Sequence, residues 1–309
     1  MVILSLGHSG STVTALRLAK LTGSGDGNPL GSERVTGNRL IPTSKGRSKW
    51  NTKKAPTPVR DIHAYFCAKQ RERTAGDVHS TRLVGFKWKP LVLEAAWDDA
   101  FRWLGAHREV RVVHLRRNPL DVMISGVKHG SSMCLPGAHP NPGPSSEKLV
   151  PGASAVWQRP PPSGDTPGRL KSYNPGRHCT AAVMRNYSSY CRHNYWRKKV
   201  NLTVECVLPF LDANRADAEN VAGKLKAYGA THESFSYFEL YYAPEPQIVE
   251  AWRRLLRFLG VAAWEVSLAD VEGASDLVET TPYAQAETVL NYEEVAARLA
   301  PTAYAHLLH

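Results

Sequence analysis

A short polar turn near the start of the chain carries residues that are able to hold an anion. Two glycines and three hydroxyl residues occur among its six members, which are Gly7, His8, Ser9, Gly10, Ser11 and Thr12. Backbone N–H groups in such a turn before a helix point towards an anion, and hydroxyls donate to it or cap the helix. The turn therefore predicts a phosphate or sulfate site, although an ordinary capped turn would contain the same residue types.

A second polar turn supplies a cation and another hydroxyl. Arg117 ends a predicted strand, and Ser125 follows eight positions later, two turns into a predicted helix. Asn118 and Pro119 are favoured at a helix N-cap and at the first helical position. A guanidinium offers two parallel N–H groups to a phosphate and a hydroxyl offers one donor, so both side chains are of types that bind anions.

The elements that must position these turns alternate between strands and helices. The apolar runs predict strands at Val2–Leu6, at Leu83–Trp88, at residues 112–115 and in a run that ends at Leu240. Helical spacing predicts helices with an apolar stripe of Val13, Leu16 and Leu21, at Leu91–Leu104, from Pro119 to His129, at Ala216–Tyr228 and between Pro244 and Gly260. This alternation is typical of an α/β protein with a mostly parallel sheet.

Taken in order, these segments resemble the PAPS-dependent sulfotransferases (PAPS is 3′-phosphoadenosine-5′-phosphosulfate). His8–Thr12 is similar to the loop that binds the 5′-phosphosulfate in that family, and Arg117 and Ser125 match its arginine and serine for the 3′-phosphate. Tyr237–Leu240, followed by Arg257–Gly260, is similar to a late family segment. Two further segments fit the family, Gly85–Lys87 and Asn291–Val295.

The resemblance implies a three-layer, P-loop-like α/β sandwich formed by one domain over residues 1–309. Residues 131–177, rich in Pro and Gly, are expected to be a flexible insertion in it. The implied reaction transfers a sulfuryl group from PAPS, without a metal, to a hydroxyl of a carbohydrate or a small molecule. The expected partners are therefore an anionic nucleotide and this acceptor, with no nucleic acid.

Three residues are candidates for the chemical step. His8 stands where the family usually has Lys or Arg, the cation that stabilises the leaving group. Lys87 or its neighbour Lys89 is an alternative source of that charge. Glu33 follows the first helix at a spacing similar to the general base of one branch, and its rivals are, in chain order, Asp61 and His63.

Charge is distributed unevenly along the chain, whose formal net charge is +11. Residues 34–60 carry eight Lys or Arg and no acid, whereas residues 261–309 carry eight Asp or Glu and one Arg. A basic front half predicts anionic ligands. Two alternatives to a sulfotransferase follow, a P-loop kinase or NTPase and a non-catalytic polyanion-binding protein. The first is disfavoured because the G-x-x-x-x-G-K-S/T pattern is missing.

Cysteines and glycosylation signals bear on the compartment. Of the five cysteines, Cys179, Cys191 and Cys206 are close in sequence and could form one disulfide, and no spacing predicts a zinc site. Asn186 and Asn201 begin N-glycosylation sequons. No membrane span is predicted. We expect a Golgi lumenal protein if an N-terminal anchor is missing from the chain, as in carbohydrate-type members of the family, and a cytoplasmic one otherwise.

Overall fold

The structure is a computed structural model, and it describes residues 1–5, 10–22, 85–88, 96–128, 199–261, 265–274 and 284–308. The chain divides into two compact units. The first, called here the sheet unit, comprises Met1–Val122 and Leu211–Ser275. The second unit comprises Met123–Phe210 and Asp276–His309. The predicted insertion lies outside the described residues, and the single domain stays a prediction.

Within the described ranges, four parallel strands form a sheet in the order β2-β1-β3-β4. They are β1 (Val2–Leu4), β2 (Phe86–Trp88), β3 (Val112–Arg116) and β4 (His232–Ser236). Ile3 in β1 lies opposite Lys87 in β2 and opposite Val113 in β3. The second strand therefore lies on one side of the first and the third strand on the other. The predicted α/β class with a parallel sheet is confirmed in the described part of the chain.

Nine α-helices occur within the described residues. They are α1 (Ser11–Leu21), α2 (Ala96–Ala106), α3 (Pro119–Lys128), α4 (Val204–Ala227), α5 (Tyr237–Tyr241), α6 (Glu245–Phe258), α7 (Leu268–Gly273), α8 (Gln285–Thr288) and α9 (Tyr292–Leu299). A 3₁₀ turn follows at Ala305–Leu307. The boundary between the units falls within α3 and α4, and α8 and α9 belong to the second unit.

Two apolar clusters pack against opposite faces of the sheet. Val2 and Leu4 belong to the first cluster, and Ile3 between them belongs to the second. Helices α2 and α4 supply Phe101, Leu104, Val221 and Leu225 to the first cluster. Helices α1 and α6 supply Ala15, Leu18, Trp252 and Leu255 to the second. Because alternate residues of a strand point to opposite faces, β1 is buried on both sides.

Local sequence signals predict two helix boundaries correctly. At the start of α3, the Leu120 N–H donates to the Asn118 side-chain oxygen at 2.9 Å, and Pro119 is the first helical residue. At the end of α6, Gly260 has a positive φ of 76°. Its N–H donates to the Arg257 carbonyl and the Val261 N–H to the Leu256 carbonyl, both at 2.9 Å. These two bonds form a Schellman motif, which satisfies carbonyls that a helix end leaves unpaired.

The prediction that a strand ends at Leu240 is wrong. The strand β4 ends at Ser236, and α5 begins at Tyr237. The Ser236 hydroxyl accepts from the Glu239 N–H, and the Glu239 carboxylate accepts from the Ser236 N–H. This capping box starts a helix inside an aromatic run whose composition favours a strand.

Three other element predictions need correction. The strand β1 ends at Leu4, before Ser5, while Leu6 lies outside the described residues. The buried face of α1 is formed by smaller residues than the predicted stripe, with Thr14, Ala15, Leu18 and Ala19 inside. Small side chains let the helix approach the sheet closely. Helix α4 begins at Val204 rather than Ala216 and continues through Pro209, which lacks the N–H of an ordinary helix interior.

Candidate functional site

The carboxyl ends of the four parallel strands meet at one edge of the sheet. Helix α1 follows β1 on one side of a crossover point, and Arg117 follows β3 on the other. From β1 the chain crosses to β2 on one side, and it then returns past β1 to β3 on the other side. The strand order therefore reverses between β1 and β3. In open α/β sheets ligands bind at this position, outside the strand ends.

Gly10 forms the N-cap of α1 in a left-handed conformation, with φ 76° and ψ 9°. A side chain at this position would be strained by that conformation. It would also collide with Tyr237, because a Cβ built on Gly10 lies 2.1 Å from Tyr237 Cε2. The backbone at the start of α1 therefore lies so close to the Tyr237 ring of α5 that only glycine fits at position 10.

Lys87 reaches the first turn of α1 from the neighbouring strand. Its side chain is buried, and Nζ donates to Thr12 Oγ1 at 3.0 Å. The first turn of α1 contains no acidic residue. A helix N-terminus carries positive potential, so the lysine and the helix end act in the same direction. This arrangement favours an anion beside Thr12 and disfavours a second cation.

Arg117 lies at the end of β3 beside the same aromatic ring. Its guanidinium carbon is 4.7 Å from the centre of the Tyr237 ring, a cation–π distance. Arg117 Nε is 4.0 Å from an Asp121 carboxylate oxygen, the limit of an ion pair. The Tyr237 ring thus touches Gly10 of one turn and Arg117 of the other. Sequence reasoning gave Tyr237 no contact role, although the Tyr237–Leu240 motif marked its position.

A network of charges holds the helix that carries Tyr237. Arg254 Nη2 donates to the Glu239 carboxylate at 3.0 Å, and Arg254 Nε lies 2.9 Å from the Glu233 carboxylate. Glu239 is also the acceptor that caps the Ser236 N–H. The same carboxylate therefore fixes the start of α5, where Tyr237 lies. Because these side chains are partly exposed, each ion pair contributes little to stability, and their effect is mainly to orient α5.

Tyr241 joins α5 to α1 one helical turn after Tyr237. Its hydroxyl is 2.7 Å from Thr14 Oγ1, which in turn donates to the Gly10 carbonyl at 3.0 Å. Arg17 lies over the Tyr241 ring at 4.9 Å. Burial is the main cause that raises the pKa of Tyr241 above its usual value, and the nearby Tyr237 adds to it. Tyr241 is therefore neutral at physiological pH and fixes α5 against α1.

The Ser5 hydroxyl is a buried polar group at the end of β1. Its side chain is fully buried, and Oγ has no hydrogen-bond partner among the described residues. An unpaired buried hydroxyl costs free energy, so native proteins seldom keep one without a reason. Ser5 lies two residues before Gly7, the first residue of the polar turn where the anion site is predicted.

The other predicted site residues divide into two groups. Ser11 is buried in the first turn of α1, and Ser125 is buried in the second unit. The pairing of Arg117 with Ser125 stays a prediction. Outside the described residues lie Gly7, His8, Ser9, Glu33, Asp61, His63 and Lys89. The structure therefore places Gly10, Ser11, Thr12, Lys87 and Arg117 in the sheet unit, and the first four converge on the start of α1.

The part of the chain that the structure describes holds neither a metal-ligand group nor a membrane-spanning helix. Within it, no three His, Cys, Asp or Glu side chains are placed to hold a metal ion together. None of the helices given above combines the length and the apolarity that crossing a bilayer requires.

Comparison with family models, with curated proteins and with solved structures found no match to this chain.

Proposed function

We propose that this chain is a sulfotransferase that moves a sulfuryl group from PAPS to a hydroxyl of a carbohydrate or a small molecule. One observation carries the proposal. The buried Lys87 amine and the N-terminus of α1 direct positive potential to one place, at the edge where the strand order reverses. Arg117 lies at the same edge, beside the Tyr237 ring that also touches Gly10.

A three-layer, P-loop-like sandwich is part of this proposal. Support comes from the two apolar clusters, in which helices pack against both faces of the parallel sheet. A parallel sheet covered on both faces is the architecture in which nucleotides bind at a strand-order reversal. The glycine-containing turn between β1 and α1 is the part of that architecture that receives a 5′-phosphate group.

The described residues divide the work of binding the donor. Thr12 and the free N–H groups of the first turn of α1 bind the 5′-phosphosulfate, and Lys87 neutralises charge beside them. Arg117 binds the 3′-phosphate with its guanidinium fork while its flat face stays against Tyr237. Fixed donors of this kind in a partly dry site stabilise developing charge without reorganising.

The chemical step resembles phosphoryl transfer. The acceptor oxygen forms a bond to sulfur while the bond from sulfur to the bridging phosphate oxygen breaks, and the acceptor proton passes to a base. Negative charge then develops on the departing phosphate, and Lys87, which reaches Thr12 in the first turn of α1, supplies positive charge to it. His8 and Glu33 keep their proposed roles as the loop cation and the base. The exposed rings of Phe238 on α5 and of Tyr242, the residue after α5, offer flat apolar surfaces of the kind on which a sugar acceptor packs.

A binding experiment separates this function from its alternatives. The purified chain is titrated with adenosine 3′,5′-bisphosphate without magnesium, and with ATP in its presence. We expect tight binding of the bisphosphate without magnesium. Binding that needs magnesium and a triphosphate would identify a kinase or NTPase instead, which the same strand-order reversal would also serve. Affinity that depends steeply on salt and ignores the nucleotide would indicate a polyanion-binding protein.

The acceptor is identified by a transfer screen. Radiolabelled PAPS is offered with panels of glycans, phenols and lipids, and the labelled product is isolated. We expect transfer to a hydroxyl of a glycan or a small molecule. A chain that binds the bisphosphate but transfers label to no panel would contradict the proposed reaction and leave only the nucleotide site.

A further inference from the structure

The sequon Asn201–Thr203 lies in a segment of the second unit that is fixed on both sides. The Val200 N–H donates to the Thr288 carbonyl at 2.9 Å, and the Leu290 N–H donates to the Val200 carbonyl at 2.8 Å. After the sequon asparagine, the Leu202 N–H donates to the Asn291 side-chain oxygen at 3.0 Å. The Asn291 amide nitrogen returns a bond to the Leu202 carbonyl at 2.8 Å.

This pairing presents the Asn201 side chain to solvent. Val200 is 4% exposed and Leu202 is 1% exposed, whereas Asn201 between them is exposed. Alternate residues of an extended segment point in opposite directions, so burying both neighbours turns Asn201 outwards. Asn201 also lies outside the helices and strands, just before α4 begins at Val204. A large polar group on its amide would therefore leave the apolar contacts of its neighbours intact.

A disulfide in the next helical turn indicates an oxidising compartment. Cys206 is disulfide-bonded, and it lies near the start of α4. The Cys206 N–H donates to the Thr203 carbonyl at 2.9 Å, which connects the cysteine to the last residue of the sequon. Structural disulfides persist in the secretory pathway and are rare in the cytosol. N-linked glycosylation takes place on chains that enter the same pathway.

We propose that Asn201 is an N-glycosylation site of this chain when it folds in the lumen of the secretory pathway. The donor is an oligosaccharide joined to a lipid pyrophosphate. Asn201 Nδ2 forms the new bond to the anomeric carbon of the first sugar as the bond from that carbon to the pyrophosphate oxygen breaks. The amide gives up one proton, and the lipid pyrophosphate leaves. This proposal does not depend on sulfuryl transfer.

The test expresses the full chain in eukaryotic cells behind a cleavable secretion signal. Purified protein is treated with a peptide N-glycosidase, which removes the glycan and converts the modified asparagine to aspartate, and the peptides are mapped by mass spectrometry. We expect that conversion at Asn201. It should be lost in Thr203→Val and kept in Thr203→Ser, which retains the sequon hydroxyl.

Two controls distinguish an unmodified Asn201 in a folded chain from one in a misfolded chain. The Cys206 disulfide is mapped in every variant, so that only chains that have oxidised are compared. Asn186→Gln removes the other sequon and should leave the Asn201 signal unchanged. An unmodified Asn201 in secreted chains whose Cys206 is oxidised would overturn the proposal, whether or not Asn186 carries a glycan.

Discussion

The Lys87 Nζ atom donates a 3.0 Å hydrogen bond to Thr12 Oγ1, in the first turn of α1. A helix N-terminus carries positive potential, and Lys87 brings a second positive group beside it. Both would attract an anion to the same turn. The bond from β2 to the first turn of α1 therefore places Lys87 at the turn where we propose that the anion binds.

Replacing Lys87 by Met should separate binding from folding. We expect adenosine 3′,5′-bisphosphate to bind at least tenfold more weakly and transfer to slow by roughly a hundredfold, the usual loss when one fixed donor is removed from a reacting oxyanion. The free energy of unfolding without ligand is measured in parallel, so that lost binding by a folded variant is distinguished from lost folding. Titration calorimetry and denaturant unfolding measure the two effects.

Lys20→Met provides the matched control for this experiment. Lys20 is exposed in the last turn of α1, far from the helix N-terminus, and should have no effect on nucleotide affinity. A Lys87→Met variant with normal affinity and normal transfer would show that the lysine has only a structural role.

Replacing Arg117 by Ala should weaken binding of the bisphosphate by more than tenfold, because the guanidinium is the proposed ligand of the 3′-phosphate. The affinity of Arg117→Lys should lie between those of the unchanged chain and Arg117→Ala, since an ammonium keeps the charge but loses the two-pronged geometry. Arg108→Ala is the control, because Arg108 is exposed and precedes β3, whereas Arg117 follows it. Equal affinities for all four proteins in titration calorimetry would reject the assignment.

Gly10→Ala should destabilise the sheet unit by about 3 kcal/mol, through its left-handed backbone and its collision with Tyr237. Substitutions at Gly229 and Gly223 separate the effect of the left-handed backbone from that of the collision. Gly229 also has a positive φ, of 69°, but no atom lies within 4 Å of an added Cβ, so Gly229→Ala should cost about 1 kcal/mol.

Gly223, inside α4 and four residues before its end, has neither constraint, and Gly223→Ala should stabilise by about 1 kcal/mol. Denaturant unfolding at one pH measures all three changes. If Gly10→Ala cost no more than Gly229→Ala, the close contact with Tyr237 would not exist in solution.

His114 should make stability depend on pH. Burial, with Arg116 and His232 adding like charge, lowers the pKa of this β3 histidine from 6.5 to about 4. Ser234 Oγ, on β4, is 3.2 Å from its Nδ1. Above pH 6.5 His114 is neutral in the folded and in the unfolded chain. As the pH drops below 6.5, His114 binds a proton in the unfolded chain before it does so in the folded chain. Stability should therefore fall as the pH drops from 6.5 to 4, by roughly 3 kcal/mol in total.

Comparison with His114→Gln isolates this contribution from the carboxylates that titrate in the same range. The free energy of unfolding is measured for both proteins between pH 6.5 and pH 4. Over that range, the difference between the two proteins should change by most of the roughly 3 kcal/mol expected from His114. A difference that stays constant with pH would show that His114 titrates normally in the folded chain.

Glu33→Gln tests the proposed base, which lies outside the described residues. We expect slower transfer with unchanged affinity for the bisphosphate, because the amide cannot accept the acceptor proton. Asp61→Asn and His63→Gln serve as comparisons at the rival positions. Full activity of Glu33→Gln would eliminate this residue and direct the search to whichever comparison variant is slow.

Local signals predicted the parts of the fold that neighbours in sequence determine. The cap at Asn118, the proline after it and the glycine that ends α6 work through bonds within a few residues, so the sequence alone was sufficient. The end of β4 was mispredicted because the aromatic run favours a strand, while the capping box of Ser236 with Glu239 favours a helix.

Contacts between distant segments could not be read from the sequence. Nothing local indicates that Tyr237 lies against Gly10, or that Lys87 reaches Thr12 rather than solvent. The buried face of α1 was predicted wrongly for a similar reason. Ala15 and Ala19 are small residues, and whether they are buried depends on how close the helix lies to the sheet. The polar turns themselves were identifiable, because their glycine and hydroxyl residues are adjacent in the chain.

The strand order also bears on how the molecule reaches its native state. The first strand, Val2–Leu4, pairs with strands that begin at Phe86 and Val112, and the latter pairs with one that begins at His232. During synthesis, the amino-terminal segment must therefore wait for distant partners to leave the ribosome. High contact order of this kind slows folding and leaves apolar strands open to aggregation in the meantime.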